Sequence, residues 1–187
     1  AYNTNNLRFE DPSTDDSTQK VLLISFDTKA LSGETLTKVI LELYREDNGL
    51  AFSNTIDAEL WDVENNATEA ATWTNYDGSN AWTTANSPEG STQLGNETID
   101  TNDIGWLYFD STDDADLLTH VNNGLGGRVY FAVMSDSTTA EYIRIVSSEG
   151  ADGYRPRLRV TYQTEGSEPT PTPNRYQRLT PKGTSGQ

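Results

Sequence analysis

The side chains that could carry out chemistry in this chain are almost all carboxylates. The sequence contains 29 aspartates and glutamates, but only one histidine, His120, and no cysteine. Cys/His and zinc sites need more such ligands, and no Ser/His/Asp or glycine-rich phosphate motif is present. Carboxylate pairs of the glycosidase type arise by chance among so many acids and therefore predict little. We expect His120 to be a surface residue and the protein not to be an enzyme.

Two clusters of carboxylates offer the hard oxygen ligands that Ca²⁺ prefers. One consists of Asp113, Asp114 and Asp116, and the other lies within residues 10–16. Neither cluster follows the spacing of an EF-hand loop, and Asp113 and Asp114 could instead supply charge at a helix N-terminus. Calcium is therefore a candidate ligand at the first cluster, and we expect no cofactor to be required.

Composition and charge restrict the partners of the protein. The formal net charge is −16 and the sequence pI is about 4.2, and such a surface repels nucleic acids and anionic membranes. No apolar run is long enough to span a bilayer. The chain opens at Ala1 without a methionine, and Asn66 and Asn96 begin glycosylation sequons. The start at Ala1 suits a processed or trimmed N-terminus, and the sequons together with the Thr/Pro-rich segment near the C-terminus favour an exported glycoprotein that is extracellular or at the cell surface.

Short apolar patterns separated by turn residues predict an all-β domain. Eight segments have the composition or alternation of strands: residues 7–9, 21–27, 36–45, 56–63, 106–110, 129–134, 142–147 and 157–162. Within 36–45 the alternation directs Val39, Leu41, Leu43 and Arg45 to the core. About eight short strands indicate a β-sandwich of jelly-roll type.

One short helix is expected after the strand at 106–110. A hydroxyl and two acids at Ser111–Asp114 are typical of a helix start. Leu117, Leu118 and Val121 then form an apolar stripe, and Asn123-Gly124 ends the helix by permitting left-handed backbone.

Aromatic residues are prominent between the fourth and fifth predicted strands. Residues 64–105 have the composition of a long irregular excursion, which needs anchors on the domain. Trp73, Tyr76 and Trp82 could serve as those anchors, or they could contact a glycan, because aromatic rings stack on sugars. Trp106 opens a strand and is expected in the core.

The C-terminal region divides into three parts. A β-sandwich domain is expected over residues 1–162, followed by a spacer at 163–173 with the sequence QTEGSEPTPTP. Such a composition is typical of an extended linker. Beyond it lies a tail, residues 174–187. Its first six residues have strand-like composition: Asn174, Arg175, Tyr176, Gln177, Arg178 and Leu179.

Three groups of segments, in chain order, resemble a known family. They are VLLISFD at 21–27 with LSGETL at 31–36 and LELY at 41–44, then EAATWTN at 69–75 with AW at 81–82, and finally NNG at 122–124 with SSE at 147–149 and RPRLRVTY at 155–162. In this order they are similar to the DNRLRE domain, also described as a carbohydrate-binding module related to the disaggregatase domains of archaea. The resemblance covers residues 7–162.

The resemblance implies an extracellular jelly-roll sandwich found in large secreted or surface proteins, some of which bind acidic polysaccharides. The strong negative charge of this chain argues against a strongly anionic ligand. Members of the family open with an additional strand of the form Ala-Asp-x-Tyr-Val, which is absent from the N-terminus here. The segment 174–179 resembles that strand, displaced to the C-terminus.

A missing strand leaves backbone donors and acceptors unpaired along a sheet edge, and an extended segment can fill such an edge. We expect a structural subunit of an extracellular filament or cell-surface polymer, joined head to tail to copies of itself through the C-terminal strand. Three alternatives stay open. The tail could fold back on its own domain, the unit could belong to a tandem-repeat chain, or the domain could be a carbohydrate-binding module of a larger secreted protein.

Overall fold

The computed structural model describes residues 6–10, 21–46, 55–63, 67–68, 71, 75–83, 90–100, 104–135, 142–163 and 176–179. This part of the chain contains ten strands, a nine-residue helix and a 3-10 turn at Lys29–Leu31. The strands are β1 (Asn6–Glu10), β2 (Leu22–Asp27), β3 (Thr35–Glu46), β4 (Ile56–Asp62), β5 (Gln93–Ile99), β6 (Gly105–Asp110), β7 (Arg128–Ser135), β8 (Tyr142–Val146), β9 (Arg157–Gln163) and β10 (Tyr176–Leu179), and the helix is α1 (Ala115–Asn123).

The strands form two antiparallel sheets that confirm the predicted all-β sandwich. The smaller sheet has the order β2-β7-β4-β5. In the larger sheet β3 pairs with β6 on one side, while β9 and β8 follow one another along its other side. Outside them lie β10, on β9, and β1, on β8. If β8 and β9 are counted as one interrupted strand, this is the strand order of a jelly roll.

The hydrophobic core lies between the sheets and follows the predicted alternation of β3. Val39, Leu41 and Leu43 are completely buried there. Arg45 continues the same face and is buried as well, and its Nη1 donates to the carbonyl oxygen of Asp100 over 2.8 Å. A buried guanidinium is tolerated because this hydrogen bond replaces part of its hydration.

Strand β5 shows that the expected irregular excursion over 64–105 is wrong at its C-terminal end. The strand QLGNETI has only two strongly apolar side chains, Leu94 and Ile99, and both are buried. They are an odd number of residues apart, which conceals the period-two alternation of a strand. A register shift resolves this, because Leu60 pairs with Gly95 and Trp61 with Gln93, so Leu94 forms a bulge.

Helix α1 lies where the sequence predicts it, but its C-terminal signal acts differently. Leu117 and Val121 are fully buried. Gly124 has a φ of −94°, so left-handed backbone is not the reason for glycine there. A Cβ at this position would lie 2.2 Å from Cγ1 of Val129, so close packing requires the glycine. Among the described residues, no helix has the length and apolar character of a membrane-spanning segment.

Candidate assembly site at the edge of the larger sheet

The outer edge of the larger sheet combines strands from the two ends of the chain. Leu41 of β3 pairs with Leu158 of β9, and Arg45 pairs with Ile145 of β8. On the far side of these two strands, β10 pairs with β9 and β1 pairs with β8. The N-terminal strand therefore covers one stretch of the edge, and the tail covers the other.

The tail segment forms a strand in the structure. Tyr176, Gln177, Arg178 and Leu179 lie opposite Thr161, Val160, Arg159 and Leu158, in an antiparallel register. The two preceding predicted residues, Asn174 and Arg175, lie outside the described residues. Backbone pairing of this kind has the same form whether the strand belongs to the same chain or to a neighbour. In this single chain the strand pairs with β9 of its own domain, and its donation to a neighbouring copy stays a prediction.

Strand β9 offers the tail a firmly anchored partner. Leu158 and Val160 point into the core and are 0% and 1% exposed. Arg157 and Arg159 alternate with them and lie on the opposite face of the sheet, around Glu42 of β3. Nε of Arg159 is 2.8 Å from Oε1 of Glu42, and Nη1 of Arg157 is 3.7 Å from Oε2. The Glu42 carboxylate is almost inaccessible to water, which strengthens its attraction to both guanidinium groups.

An aromatic cluster packs on the outward face of the larger sheet, beside Arg157. The guanidinium carbon of Arg157 lies 4.0 Å from the centre of the Trp106 ring, a cation–π arrangement. The Tyr44 ring meets the Trp106 ring edge-on, with centroids 5.3 Å apart. The Tyr44 ring also contacts the Tyr154 ring at a tilted angle, with centroids 4.3 Å apart. Trp106 is thus only partly buried and lies outside the sandwich core, so the expectation of a core tryptophan is wrong. Leu107 and Phe109 of β6 are buried, and the alternation therefore places Trp106 on the outward face.

Sequence reasoning did not single out Glu42, Arg157, Arg159 or Tyr154 as functional candidates. The signal was present in the alternation of β9, where Arg157 and Arg159 occupy the first two positions that face away from the core. Glu42 lies in the outward-facing set of β3, but its burial under two arginines depends on the register between β3 and β9. That register is a tertiary feature.

The residues predicted to contact a glycan have different environments. Trp82 is only 4% exposed and packs with Val63 and Ala132 in a second hydrophobic cluster on the smaller sheet. Tyr76 is half-buried against it, with ring centroids 5.9 Å apart. Trp73 lies outside the described residues. The burial of Trp82 favours the anchoring role over glycan contact, while the glycan prediction for Trp73 and Tyr76 stays open.

One of the two glycosylation sequons lies on a described strand. Asn96 is exposed on β5, the edge strand of the smaller sheet, and Oγ1 of Thr98 donates to the Asp57 carboxylate over 2.5 Å. Asn66 lies outside the described residues. Exposure makes Asn96 accessible, and its modification stays a prediction.

The acidic cluster considered for calcium has a structural role at the start of α1. The Asp114 carboxylate accepts a hydrogen bond of 2.9 Å from the backbone N–H of Asp116, as an N-cap does. No group of three potential metal ligands occurs within the described ranges, which include Asp113. Desolvation, followed by the charge of Asp113, raises the pKa of Glu97.

The single histidine is part of the packing. His120 is half-buried on α1, its Nε2 lies 3.0 Å from the carbonyl oxygen of Tyr130, and its ring meets Phe131 edge-on at 5.3 Å. The expectation of a surface residue is therefore only partly met. These contacts connect α1 to β7.

Comparison with known proteins adds no family assignment. Models of protein families give no match to the chain, and a search of the curated proteins also finds none. The resemblance to the DNRLRE domain stays a prediction, and the functional proposal depends on the geometry of the sheet edge.

Proposed function

We propose that the protein is a structural subunit of an extracellular filament or cell-surface polymer, in which the C-terminal strand of one copy pairs with β9 of the next. The observation that carries the proposal is the length of the connection between β9 and β10. The two strands are antiparallel neighbours, so a hairpin of two to five residues would join them. The chain instead places residues 164–175 between them.

The composition of this connection suits a bridge to a neighbour. It contains Pro169, Pro171 and Pro173 in alternation with threonine, and it has no aliphatic or aromatic residue that could anchor it. Proline-rich segments favour extended polyproline II backbone at about 3.1 Å per residue. At that rise a connection of twelve residues could reach about 37 Å, whereas paired strands are only about 4.8 Å apart. A stiff spacer of this length delivers the tail to another copy more readily than to the adjacent strand.

The strand exchange itself leads to a polymer. The donating surface is the tail and the accepting surface is the edge of β9, so the contact is heterologous and does not need to close on itself. Each copy offers one tail and one edge, and a linear array follows. The net charge of −16 disfavours non-specific association of the copies, so the backbone pairing determines which surfaces meet.

A cysteine exchange experiment tests the proposal, because the chain has no cysteine of its own. Full-length Arg159→Cys and Arg178→Cys variants are mixed, dissociated together and allowed to reassemble under oxidising conditions. Directly opposite residues of antiparallel strands have Cα atoms about 4.5–5.5 Å apart, which a disulfide can bridge. We expect disulfide-linked heterodimers on a non-reducing gel, and a ladder from the double variant.

The control replaces Arg178→Cys by Gln177→Cys, which lies opposite Val160 and should cross-link poorly to Cys at 159. A double variant that runs only as an oxidised monomer, together with a mixture that forms no heterodimer, would contradict the proposal. In that case the tail pairs with its own chain.

A carbohydrate-binding module of a larger secreted protein is a second candidate, and exposed aromatic rings support it. Tyr108 is 45% exposed and Tyr154 is 46% exposed, and the Tyr154 ring contacts Tyr44 at a tilted angle. Exposed rings of this kind can stack on the apolar faces of sugars. A glycan array comparing the natural chain with Tyr108→Ala and Tyr154→Ala tests this candidate. Absence of binding to any polysaccharide would contradict it.

A further inference from the structure

Strands β1 and β10 occupy a single row at the edge of the larger sheet. Leu179 lies opposite Leu158, which pairs with Leu41 of β3. Leu7 lies opposite Ile145, which pairs with Arg45 of β3. Leu41 and Arg45 are four positions apart in β3, so Leu179 and Leu7 are about 13 Å apart along the strand direction.

The two strands of the row also run in the same direction. β10 is antiparallel to β9, and β9 is antiparallel to β3. β1 is antiparallel to β8, and β8 is antiparallel to β3. Both β10 and β1 are therefore parallel to β3, and the C-terminal end of β10 points towards the N-terminal end of β1.

We infer that the first strand of this jelly roll is composite and consists of the tail strand followed in line by β1. The last strand of the jelly roll is divided in the same way, into β8 and β9, and each half has its own partner in the row. Among the described residues, β1 and β10 each cover only part of the row. The complete sandwich therefore needs both the domain and a tail strand, and the tail strand must run parallel to β3, in the same direction as β1.

This inference deepens the proposed function, on which it rests for the source of the tail. When a second copy supplies β10, the end of the donor strand at Leu179 lies next to the acceptor strand that begins at Asn6. The junction between two copies therefore brings the C-terminal region of one next to the N-terminal region of the other. The polymer therefore has a direction. At each junction the C-terminal strand of one copy is followed in line by the N-terminal strand of the next copy, as it would be in a continuous chain.

A circular permutant tests the composite strand with every residue of the tail and domain retained. Residues 174–187 are placed before Ala1, the chain ends at Gln163, and the segment 164–173 is omitted. Residues 180–187 and 1–5 then connect Leu179 to Asn6, and thirteen residues easily bridge a gap of about 10 Å along the strand direction. We expect a folded monomer that forms no polymer by light scattering, and whose Arg159→Cys, Arg178→Cys version forms an intrachain disulfide. A folded permutant without that disulfide would overturn the inference.

A distance measurement in the full-length chain keeps the inference testable if the permutant does not fold. Arg178 lies in the row of Ile40 and Arg8 in the row of Glu46, six positions further along β3. Spin labels at Arg8→Cys and Arg178→Cys should give a short distance of about 20 Å between backbone positions. A distribution without this distance would overturn the inference. The distance between positions 8 and 178 is the same whether the tail comes from the same copy or from a neighbour. A chain that shows this distance but is monomeric would therefore contradict the proposed function and leave the composite strand intact.

Discussion

Two long connections join consecutive antiparallel neighbours in this molecule, and they differ in how they are built. Residues 63–92 connect β4 to β5, and residues 164–175 connect β9 to β10. The first connection places Trp82 and Val63 in a buried cluster on the smaller sheet and adds a backbone bridge between Asn75 and Ala81. The second contains polar residues, glycine and alternating prolines, without an aliphatic or aromatic anchor.

The difference shows what a long connection needs in order to return to its own domain. Closing a loop costs conformational entropy, and ordering each residue adds to that cost. Burial of large aromatic rings offsets the cost for the first connection. Nothing in the composition of the second connection offsets it, and within the described residues the tail pairs with β9 at four positions. A tail held in this way can exchange between copies.

The largest expected effect comes from making the second connection a hairpin. Replacing residues 164–173 by Asn-Gly allows Arg175 and Asn174 to continue the register opposite Tyr162 and Gln163, with a two-residue turn. We expect this variant to be a monomer by light scattering, because the tail can no longer reach a neighbour. Replacing the same ten residues by a Pro-Thr repeat of equal length keeps a stiff, extended spacer and should retain assembly. A hairpin variant that still polymerises would contradict the exchange.

Removing the anchor of the first connection should have the next largest effect. Trp82→Ala deletes a ring that is 4% exposed, and such truncations cost about 3–5 kcal/mol of the free energy of unfolding. Urea denaturation measures the loss. Tyr154→Ala, at a ring that is 46% exposed, serves as the control and should stay within about 1 kcal/mol. Equal losses for the two variants would show that residues 63–92 are not held by the cluster.

Charge at the tail strand should have a smaller effect. Arg178 lies directly opposite Arg159 in the register, and like charges at opposite positions destabilise strand pairing. Arg178→Glu should therefore tighten assembly by about 0.2–1 kcal/mol, measured as a lower dissociation constant at low salt, with the gain reduced at high salt. Gln177→Glu introduces a negative charge opposite Val160 and provides the matched control. An equal gain from both variants would exclude the pairing with Arg159 as the cause.

The smallest expected effect is a pH dependence on the β4–β5 side. Desolvation, with a contribution from Asp113, raises the pKa of Glu97 above its unfolded value. The folded state therefore holds this proton more tightly, so Glu97 favours folding at acidic pH and opposes it slightly once both states have lost the proton. Glu97→Gln should raise the free energy of unfolding at neutral pH, and the gain should vanish in acid. Thermal melts across pH 3–8 test this, and a gain independent of pH would contradict it.

The β-sandwich and most of its strands follow from the sequence, because alternation reports directly which side chains a half-buried strand turns inward. The alternation of β3 predicts Val39, Leu41 and Leu43 in the core, and all three are buried. The sequence pattern does not predict β5, because a bulge at Leu94 breaks the alternation of its apolar residues. The prediction of Trp106 in the core is wrong, because hydrophobicity alone does not distinguish a core position from an outward position that Arg157 and Tyr44 cover.

For the candidate site, the sequence alone determined that the tail has the composition of a strand and that a stiff, unanchored spacer precedes it. Local propensity and the rigidity of proline are properties of neighbouring residues, so they can be read without a fold. Only the tertiary structure decided that β10 lies against β9, in line with β1 and in the same direction. Pairing between residues as distant as Leu7 and Ile145 depends on the packing of both sheets, which no local pattern encodes.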